Sequence, residues 1–573
     1  MYYRIVRFIL KLTILLLVYL AILVIYSIPY TWLALVAIGI YLLSRKTYRY
    51  TAYGTARWAD AADIPHMLEG SGLIVGNIEG KPSKIEATKA LFDSRFSARQ
   101  ACQKFLMSCQ RKQPKYVVRL TNAVHTAIFA PTGVGKGVSC IIPFLKTCPD
   151  SCVVVDFKGE NCKITAMHRY KKFGHQVVII DPFKQVTQEP DIYNPLQHID
   201  KNSPTALDEC RDLAEALVVR TGEEREKHWD DSAELWIAAM IAFVVCFAGE
   251  EEKNLQWVRT ILADPEKLQM AVKAMRESDE WGGMLSRLGH QLGHYVDKEL
   301  GSVLTSANRH LRFLDTLSVA ESTKKSSFNP AGLLTGKMTV YLVLPPNHMR
   351  AQSPLLRLWI SSMLRAVVAD GLQEQDKVHF ICDEAASLGH MDALDDAVDK
   401  YRGYGIRLQL YYQSLGQLKK CWPDGGDQTL LGNVTQVYFG CNDNETAKYI
   451  SDRLGEETIL VEDWGESESR SYQASEHGNG SANYSRSQSR NCKQVGRRLL
   501  KPEEVTALDE RIAITFAPGA PPIWTRLLRY YEKDFGLPTG LGPLKVAFDA
   551  ACLFVSAAML AALWTAAMMY HVF

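Results

Sequence analysis

Two stretches carry residues suited to phosphate chemistry. The first is "FAPTGVGKGVSC", residues 129–140. It approximates G-x-x-x-x-G-K-[ST], in which a turn offers backbone N–H groups and a lysine to phosphate oxygens. Ala130 replaces the first glycine, and Gly137 stands where a Ser or Thr follows the lysine. The candidate nucleotide contacts are Pro131, Thr132, Gly133, Val134, Gly135, Lys136, Gly137 and Val138, with Lys136 neutralising the β- and γ-phosphates. The absent hydroxyl would normally ligate Mg2+. That ion keeps several waters, so a water ordered by Asp383 can take its place; Thr132 and Ser139 are the nearby hydroxyls that could substitute. Taken alone, the stretch also suits a Gly-rich strand–helix turn without nucleotide.

The second stretch, "VHFICDEAASLG" at 378–389, is an apolar run ending in Asp383-Glu384. Asp383 can hold Mg2+ directly or through water, and Glu384 can polarise an attacking water as general base. Such a pair also serves as a helix N-cap, but beside the upstream lysine loop it completes an ATP site. The next apolar run, "IRLQLYYQS", ends in Gln413, an amide placed to sense a γ-phosphate or position water, or else a surface amide. Arg402, in "DKYRGYG", either reaches a neighbouring subunit's nucleotide or faces solvent or a carboxylate. The residues alone do not separate these two roles.

The elements that must position these groups can be read from the pattern. "HTAIFA", "CVVVD", "QVVIID", "MTVYLVL", "VHFICDE", "IRLQLYY" and "TQVYFG" are short apolar runs separated by helical stretches. That alternation implies an α/β fold with a parallel sheet covered on both faces. Between 203 and 320 it gives way to helical periodicity, as in "DECRDLAEALV" and "SAELWIAAMIAFVVCFA", which reads as an inserted all-α domain. Residues 464–492 are rich in Ser, Gly, Asn and charge, which predicts a flexible loop.

The 573 residues allow more than one domain, and a net charge of +2 excludes a globally basic nucleic-acid binder. Any contact with nucleic acid needs a local patch or channel. Arg486, Arg490, Lys493, Arg497, Arg498 and Lys501 form one basic run, which also suits a solvated linker. The 13 cysteines show no metal-type spacing and read mostly as core thiols of a reducing compartment.

Residues 8–43 are almost uninterrupted apolar, too long for one span, with Pro29 near the middle. Arg4, Arg7 and Lys11 lie at one end, and Arg45, Lys46 and Arg49 at the other. Positive residues favour the cytoplasmic side, which predicts a transmembrane hairpin with both ends inside, against a single tilted helix or signal anchor. Residues 550–570 carry no charge and fit one further span or a packed terminal helix. The expected organisation is therefore a membrane hairpin at 1–50 and a nucleotide-binding domain in three parts, 51–202, 321–463 and 493–545. The all-α domain at 203–320 and the loop at 464–492 interrupt it, and a C-terminal span follows at 546–573.

In order along the chain, "YGTARWA", "APTGVGKGVSCIIPFL", "VVVDFKGEN", "HWDDSAELW", "CDEAASLGHMDALDDAVDKYRGYGIRLQLYYQSLGQL", "GNVTQVYFGCNDNETAKYISDRLGEET" and "RRLLKPEEV" resemble the type IV secretion coupling proteins of the TraG/TraD type. Glycine directly after the loop lysine is an accepted form in that family. The resemblance implies a RecA-like motor assembling as a homo-hexamer on the bacterial inner membrane, with ATP and Mg2+ bound between subunits. It places Arg402 as the trans-acting arginine and Gln413 as the sensor. The implied cargo is single-stranded DNA with its relaxase, or protein effectors, delivered to the secretion channel. A protein-export receptor without a DNA role, and a nucleotide-binding scaffold with little turnover, are the other readings. The intact Asp383-Glu384 pair argues against the scaffold.

Overall fold

The computed structural model describes residues 51–532, apart from 79–115, 221–226, 474–480 and the single positions 62, 122, 296, 370, 374, 375 and 424. The apolar runs at 8–43 and 550–570 lie outside these residues. Among the described residues, no helix is long and apolar enough to cross a membrane.

The described chain forms β1 (Leu73–Ile78), β2 (Tyr116–Leu120), β3 (Thr126–Phe129), β4 (Ser151–Asp156), β5 (Gln176–Ile180), β6 (Met338–Val343), β7 (Val378–Cys382), β8 (Ile406–Tyr412) and β9 (Thr435–Phe439). After these come β10 (Glu456–Gln473), β11 (Ser481–Arg498), β12 (Ile512–Phe516) and β13 (Ile523–Arg526). It divides into two compact units, the smaller holding 51–55 and 456–497 of the described residues.

In the larger unit eleven strands make one sheet, in the order β2-β1-β13-β12-β9-β3-β8-β7-β4-β6-β5. From β9 to β5 every pairing is parallel. Strands β3, β4, β6, β7 and β9 are buried throughout, which is why their sequences read as continuous apolar runs rather than alternating ones. The expected parallel sheet is thus correct for its centre and incomplete at one edge. There β12, β13, β1 and β2 add an antiparallel flank. These strands are short and come from both ends of the unit, so no local alternation with helices announces them.

The lysine loop follows β3. It leads into a wide π-type turn at Gly137–Ile141 and then α1 (Ile142–Thr147). Pro143 has no N–H to donate and sits just after that wide turn. Helix α2 (Glu160–His168) follows β4. Between β5 and β6 the described residues contain no strand. They form α3 (Ala206–Leu217), α4 (Lys227–Phe247), α5 (Leu255–Ala263), α6 (Pro265–Arg276), α7 (Met284–Leu292), α8 (Asp297–Leu311) and α9 (Leu317–Ser322). The starts are set by local chemistry: Asn254 accepts the Trp257 N–H to open α5, and Asp264 accepts those of Glu266 and Lys267 to open α6. Leu213, Trp236, Val258, Leu288 and Val303 from these helices share one buried cluster with Val155 of β4 and with Trp359 of α10 (Met349–Val368). The helices are therefore continuous with the core of the sheet rather than a unit of their own.

In the smaller unit β10 and β11 pair as a two-stranded sheet. The flexible loop expected at 464–492 is corrected by this pairing. The link at 474–480 is too short for a parallel crossover, so the strands form an antiparallel hairpin. A ladder of backbone hydrogen bonds needs no apolar core, and low hydrophobicity alone was a poor guide to it. The base of the hairpin is pinned: Thr458 Oγ1 accepts from the N–H groups of Tyr53 and Gly54 at 3.1 and 3.2 Å and donates to Gly54 O at 3.1 Å.

Candidate active site

Strands β3, β8 and β7 lie side by side and parallel, so their C-terminal ends open on one edge of the sheet. That edge receives the lysine loop, Gln413 and the Asp383-Glu384 pair. In open parallel sheets this is where ligands bind. The loop is anchored at its start by the Ala130 N–H, which donates to Tyr412 O at 2.9 Å. Gly133 and Gly135 take positive φ, +92° and +100°, to bend the chain into the turn. Pro131 is half-buried, Thr132 and Gly133 are exposed, and Val134 is buried. Gly137 and Val138 are half-buried at the start of the helix, and Val138 O accepts the Tyr530 N–H at 3.1 Å.

Lys136 sits between the loop and the acidic pair. Its Nζ donates to Ala130 O at 3.1 Å and lies 3.7 Å from Glu384 Oε2. The other carboxylate oxygen of Glu384 accepts from Gln413 Nε2. Gln413 is itself steadied through its N–H, which donates to Gln417 Oε1 at 2.8 Å. Glu384 adopts left-handed backbone angles, φ 62° and ψ 53°. That conformation is costly for a residue with a Cβ, and such outliers cluster at functional sites.

Asp383 closes the group. Burial pushes its carboxyl up to about 6; Lys136 pulls the other way, and Glu384 and Asp156 add to the rise. A divalent cation would favour its ionised form. Asp156 ends β4 just as Asp383 follows β7, and these neighbouring strands pair Val155 with Cys382. The two aspartates therefore stand side by side. Asp156 accepts the Cys162 N–H at 2.8 Å and so helps hold the start of α2.

The structure brings together Lys136, Asp383, Glu384 and Gln413. It does not bring Arg402 to them. Arg402 lies in the short 3-10 turn Tyr401–Tyr404, before the first residue of β8, whereas Gln413 follows the last. Seven residues of strand, about 23 Å, separate the two ends of β8. Arg402 is exposed, and among the described residues no ion pair holds it.

Three further residues of the site carry no mark of their role in the sequence. Asp156 was visible as the end of "CVVVD", but its role depends on β4 lying beside β7. Asn161 is buried, and its Oδ1 lies 3.8 Å from where a Cβ on Gly137 would stand. It is thus a polar group facing the place of the missing hydroxyl, while Thr132 is exposed and Ser139 is buried within the helix. Gly440 follows β9 with φ +61°, and a Cβ there would come within 2.8 Å of Val134 Cγ1. The loop is packed down at that point. Gly440→Ala is expected to cost about 1–3 kcal/mol and to weaken nucleotide binding together with stability. Thermal unfolding and nucleotide titration of the variant check this; unchanged values in both would show that the loop is not held there.

A family model described as type IV secretory system conjugative DNA transfer matches residues 58–552. The protein VirD4 of Agrobacterium fabrum is 28% identical over 500 residues, covering 84% of this chain and 66% of that protein. The conjugal transfer protein TraG of Escherichia coli is 27% identical over 435 residues, covering 72% of this chain and 65% of that protein. The chain thus spans just under two thirds of the length of these relatives. Among solved structures, the bacterial conjugative coupling protein TrwBdeltaN70 superposes with a TM-score of 0.54 at 19% identity, over 74% of this chain and 89% of that one. The plasmid coupling protein TrwB in complex with ADP and Mg2+ gives 0.52 at 18%, over 72% and 88%. These likenesses show the fold, an α/β P-loop fold of RecA-like type with a sheet that is mainly parallel. The chain belongs to the type IV secretory system conjugative DNA transfer family.

Proposed function

We propose that this chain is a coupling ATPase of a type IV secretion or conjugation system. It recruits a relaxase–DNA substrate to the secretion channel and uses ATP hydrolysis to drive transfer of single-stranded DNA. The observation that carries this reading is the meeting of Lys136, Glu384 and Gln413 at the ends of three adjacent parallel strands, with Asp383 beside them. A structure in the same fold carries ADP and Mg2+, and relatives are named for conjugal transfer, which supports the reading further.

The residues divide the work. Backbone N–H groups of 131–138 cradle the phosphates, and Lys136 exchanges its hold on Ala130 O for the β- and γ-phosphates. Asp383 would hold Mg2+ directly or through water, with Asn161 facing the position of the absent hydroxyl. Mg2+, when bound, would supply charge neutralisation for phosphoryl transfer. Glu384 orients a water and takes its proton, while Gln413 holds that carboxylate in place and reads whether a γ-phosphate is present. The chain works as a homo-hexamer on the inner membrane, anchored through 1–50 and 546–573, with the ATPase in the cytoplasm. A neighbour's Arg402 completes each site.

Lys136→Ala tests the motor. Loss of a preorganised positive group on the transferring phosphoryl is expected to cost about 10²–10³-fold in turnover, and DNA transfer between cells should fall to background. Transfer at the parental frequency would end the motor reading. Relaxase–DNA that fails to co-purify while protein effectors do would replace the DNA cargo with a protein one.

A further inference from the structure

At the opposite end of the strands from Asp383, three side chains of different chemistry meet. Cys148 caps the end of α1, Asp150 immediately precedes β4, and His379 is the second residue of β7. His379 Nε2 lies 3.0 Å from Asp150 Oδ2 and 3.9 Å from Cys148 Sγ. One ligand atom from each lies within 4.8 Å of the other two. Cys148 and His379 are buried, and Asp150 is half-buried.

Thiolate, imidazole and carboxylate form a donor set typical of zinc-class cations. Donors bound to one tetrahedral ion at about 2.0–2.3 Å stand roughly 3.3–3.6 Å apart. The two separations at His379, 3.0 and 3.9 Å, bracket that value, and the third pair lies within 4.8 Å, so modest side-chain shifts would seat an ion.

The donors are held in place before any ion arrives. The fully buried guanidinium of Arg169 donates to Leu145 O at 3.0 Å, to Cys148 O at 2.8 Å and to Asp150 O. Its Nε donates to Thr339 Oγ1 at 2.6 Å, and His175 Nε2 holds Pro149 O at 2.8 Å. The carbonyls of 148, 149 and 150 are therefore each fixed, and with them the backbone that carries two of the ligands. The Phe144 ring meets the His379 imidazole edge to face at 4.8 Å and fixes the third. Fixed supports of this kind are what a metal site requires.

A cavity of about 30 Å³ adjoins all three residues and has room for one water. Lys377 and Arg407 line the same cavity. A thiolate and a carboxylate together neutralise a divalent ion, so the complex presents no net positive charge to those two cations.

We propose that Cys148, Asp150 and His379 bind one zinc-class divalent cation, with a cavity water as fourth ligand. Binding forms the S–metal, N–metal and O–metal bonds, and the Cys148 thiol proton leaves to solvent. Without the ion the three side chains remain a hydrogen-bonded group in which Asp150 accepts from His379. With it, the far end of the helix that follows the lysine loop is tied to the start of β7, the strand that leads to Asp383-Glu384.

Cobalt is the probe. The full-length protein, stripped with chelator and titrated with Co2+, should take up one ion per chain and show thiolate-to-cobalt charge-transfer absorption that Zn2+ abolishes. Cys148→Ser should lose that band, and His379→Gln and Asp150→Asn should weaken Zn2+ binding by at least about 10-fold. Circular dichroism reports whether each variant folds. The wild-type titration decides by itself if none does. No stoichiometric Co2+ uptake by the folded wild type would leave only the hydrogen-bonded group and overturn the site. A band that survives Cys148→Ser would assign the metal to another cysteine and overturn it equally.

Discussion

Glu384→Gln is expected to bind ATP and Mg2+ as the parent does and to lower turnover by about 10²–10⁴-fold, the range of a lost general base. The substitution keeps the shape of the side chain, so Gln413 and the left-handed backbone at 384 retain their places. What it removes is the proton acceptor and the negative charge 3.7 Å from Lys136. Without that charge Lys136 is freer to meet the phosphates, so affinity should hold or tighten while kcat falls. A loss confined to kcat marks an interaction made only as the reaction proceeds. Equilibrium nucleotide binding and phosphate release on the same sample measure both quantities. Normal turnover would remove Glu384 from the chemistry, and lost binding would make its role structural.

Arg402→Ala should have the largest effect of any exposed residue, about 10³–10⁵-fold, the worth of a trans-acting arginine in phosphoryl transfer. Its own chain cannot supply that effect. Arg402 lies at the opposite end of β8 from Gln413 and is exposed. In a head-to-tail ring, however, one subunit's surface can complete the next subunit's site. The decisive form of the experiment mixes two inactive variants. Arg402→Ala keeps an intact lysine loop, and Lys136→Ala keeps an intact arginine. Random assembly at equal amounts pairs the sound halves at about one interface in four, so activity should return. No recovery from co-assembled subunits would confine Arg402 to its own chain and end the trans role.

Lys136, Asp383, Glu384 and Gln413 were legible in the sequence because each ends or follows an apolar run of strand length. Residues at strand ends need only the order of runs to be found. Asp156, Asn161 and Gly440 were not legible for the converse reason. Their importance rests on which strands are neighbours, β4 beside β7 and β9 beside β3, and short buried runs carry no mark of their partners. The same gap hid the antiparallel flank, whose strands come from 73–120 and 512–526. At 464–492 the composition pointed away from order, yet two long strands satisfy their backbones against each other there. Helical periodicity between 203 and 320 was clear. That those helices share the sheet's core was not, because periodicity shows that a face is buried and not what buries it.

The geometry narrows which groups could face a Mg2+ at this site. Gly137 leaves no hydroxyl, but Asn161 faces the space from α2, and Asp156 stands beside Asp383. Asn161 and Asp156 are thus the groups that would stand beside a Mg2+ held by Asp383.

On the proposed function, this pocket hydrolyses ATP in the service of DNA transfer. That function is tested most directly by the rate of phosphate release from ATP by the purified full-length protein, with and without single-stranded DNA, beside Lys136→Ala. Hydrolysis should rise with single-stranded DNA and be absent in the variant. Equal rates in the two proteins, or a wild-type rate that single-stranded DNA leaves unchanged, would contradict the proposed function.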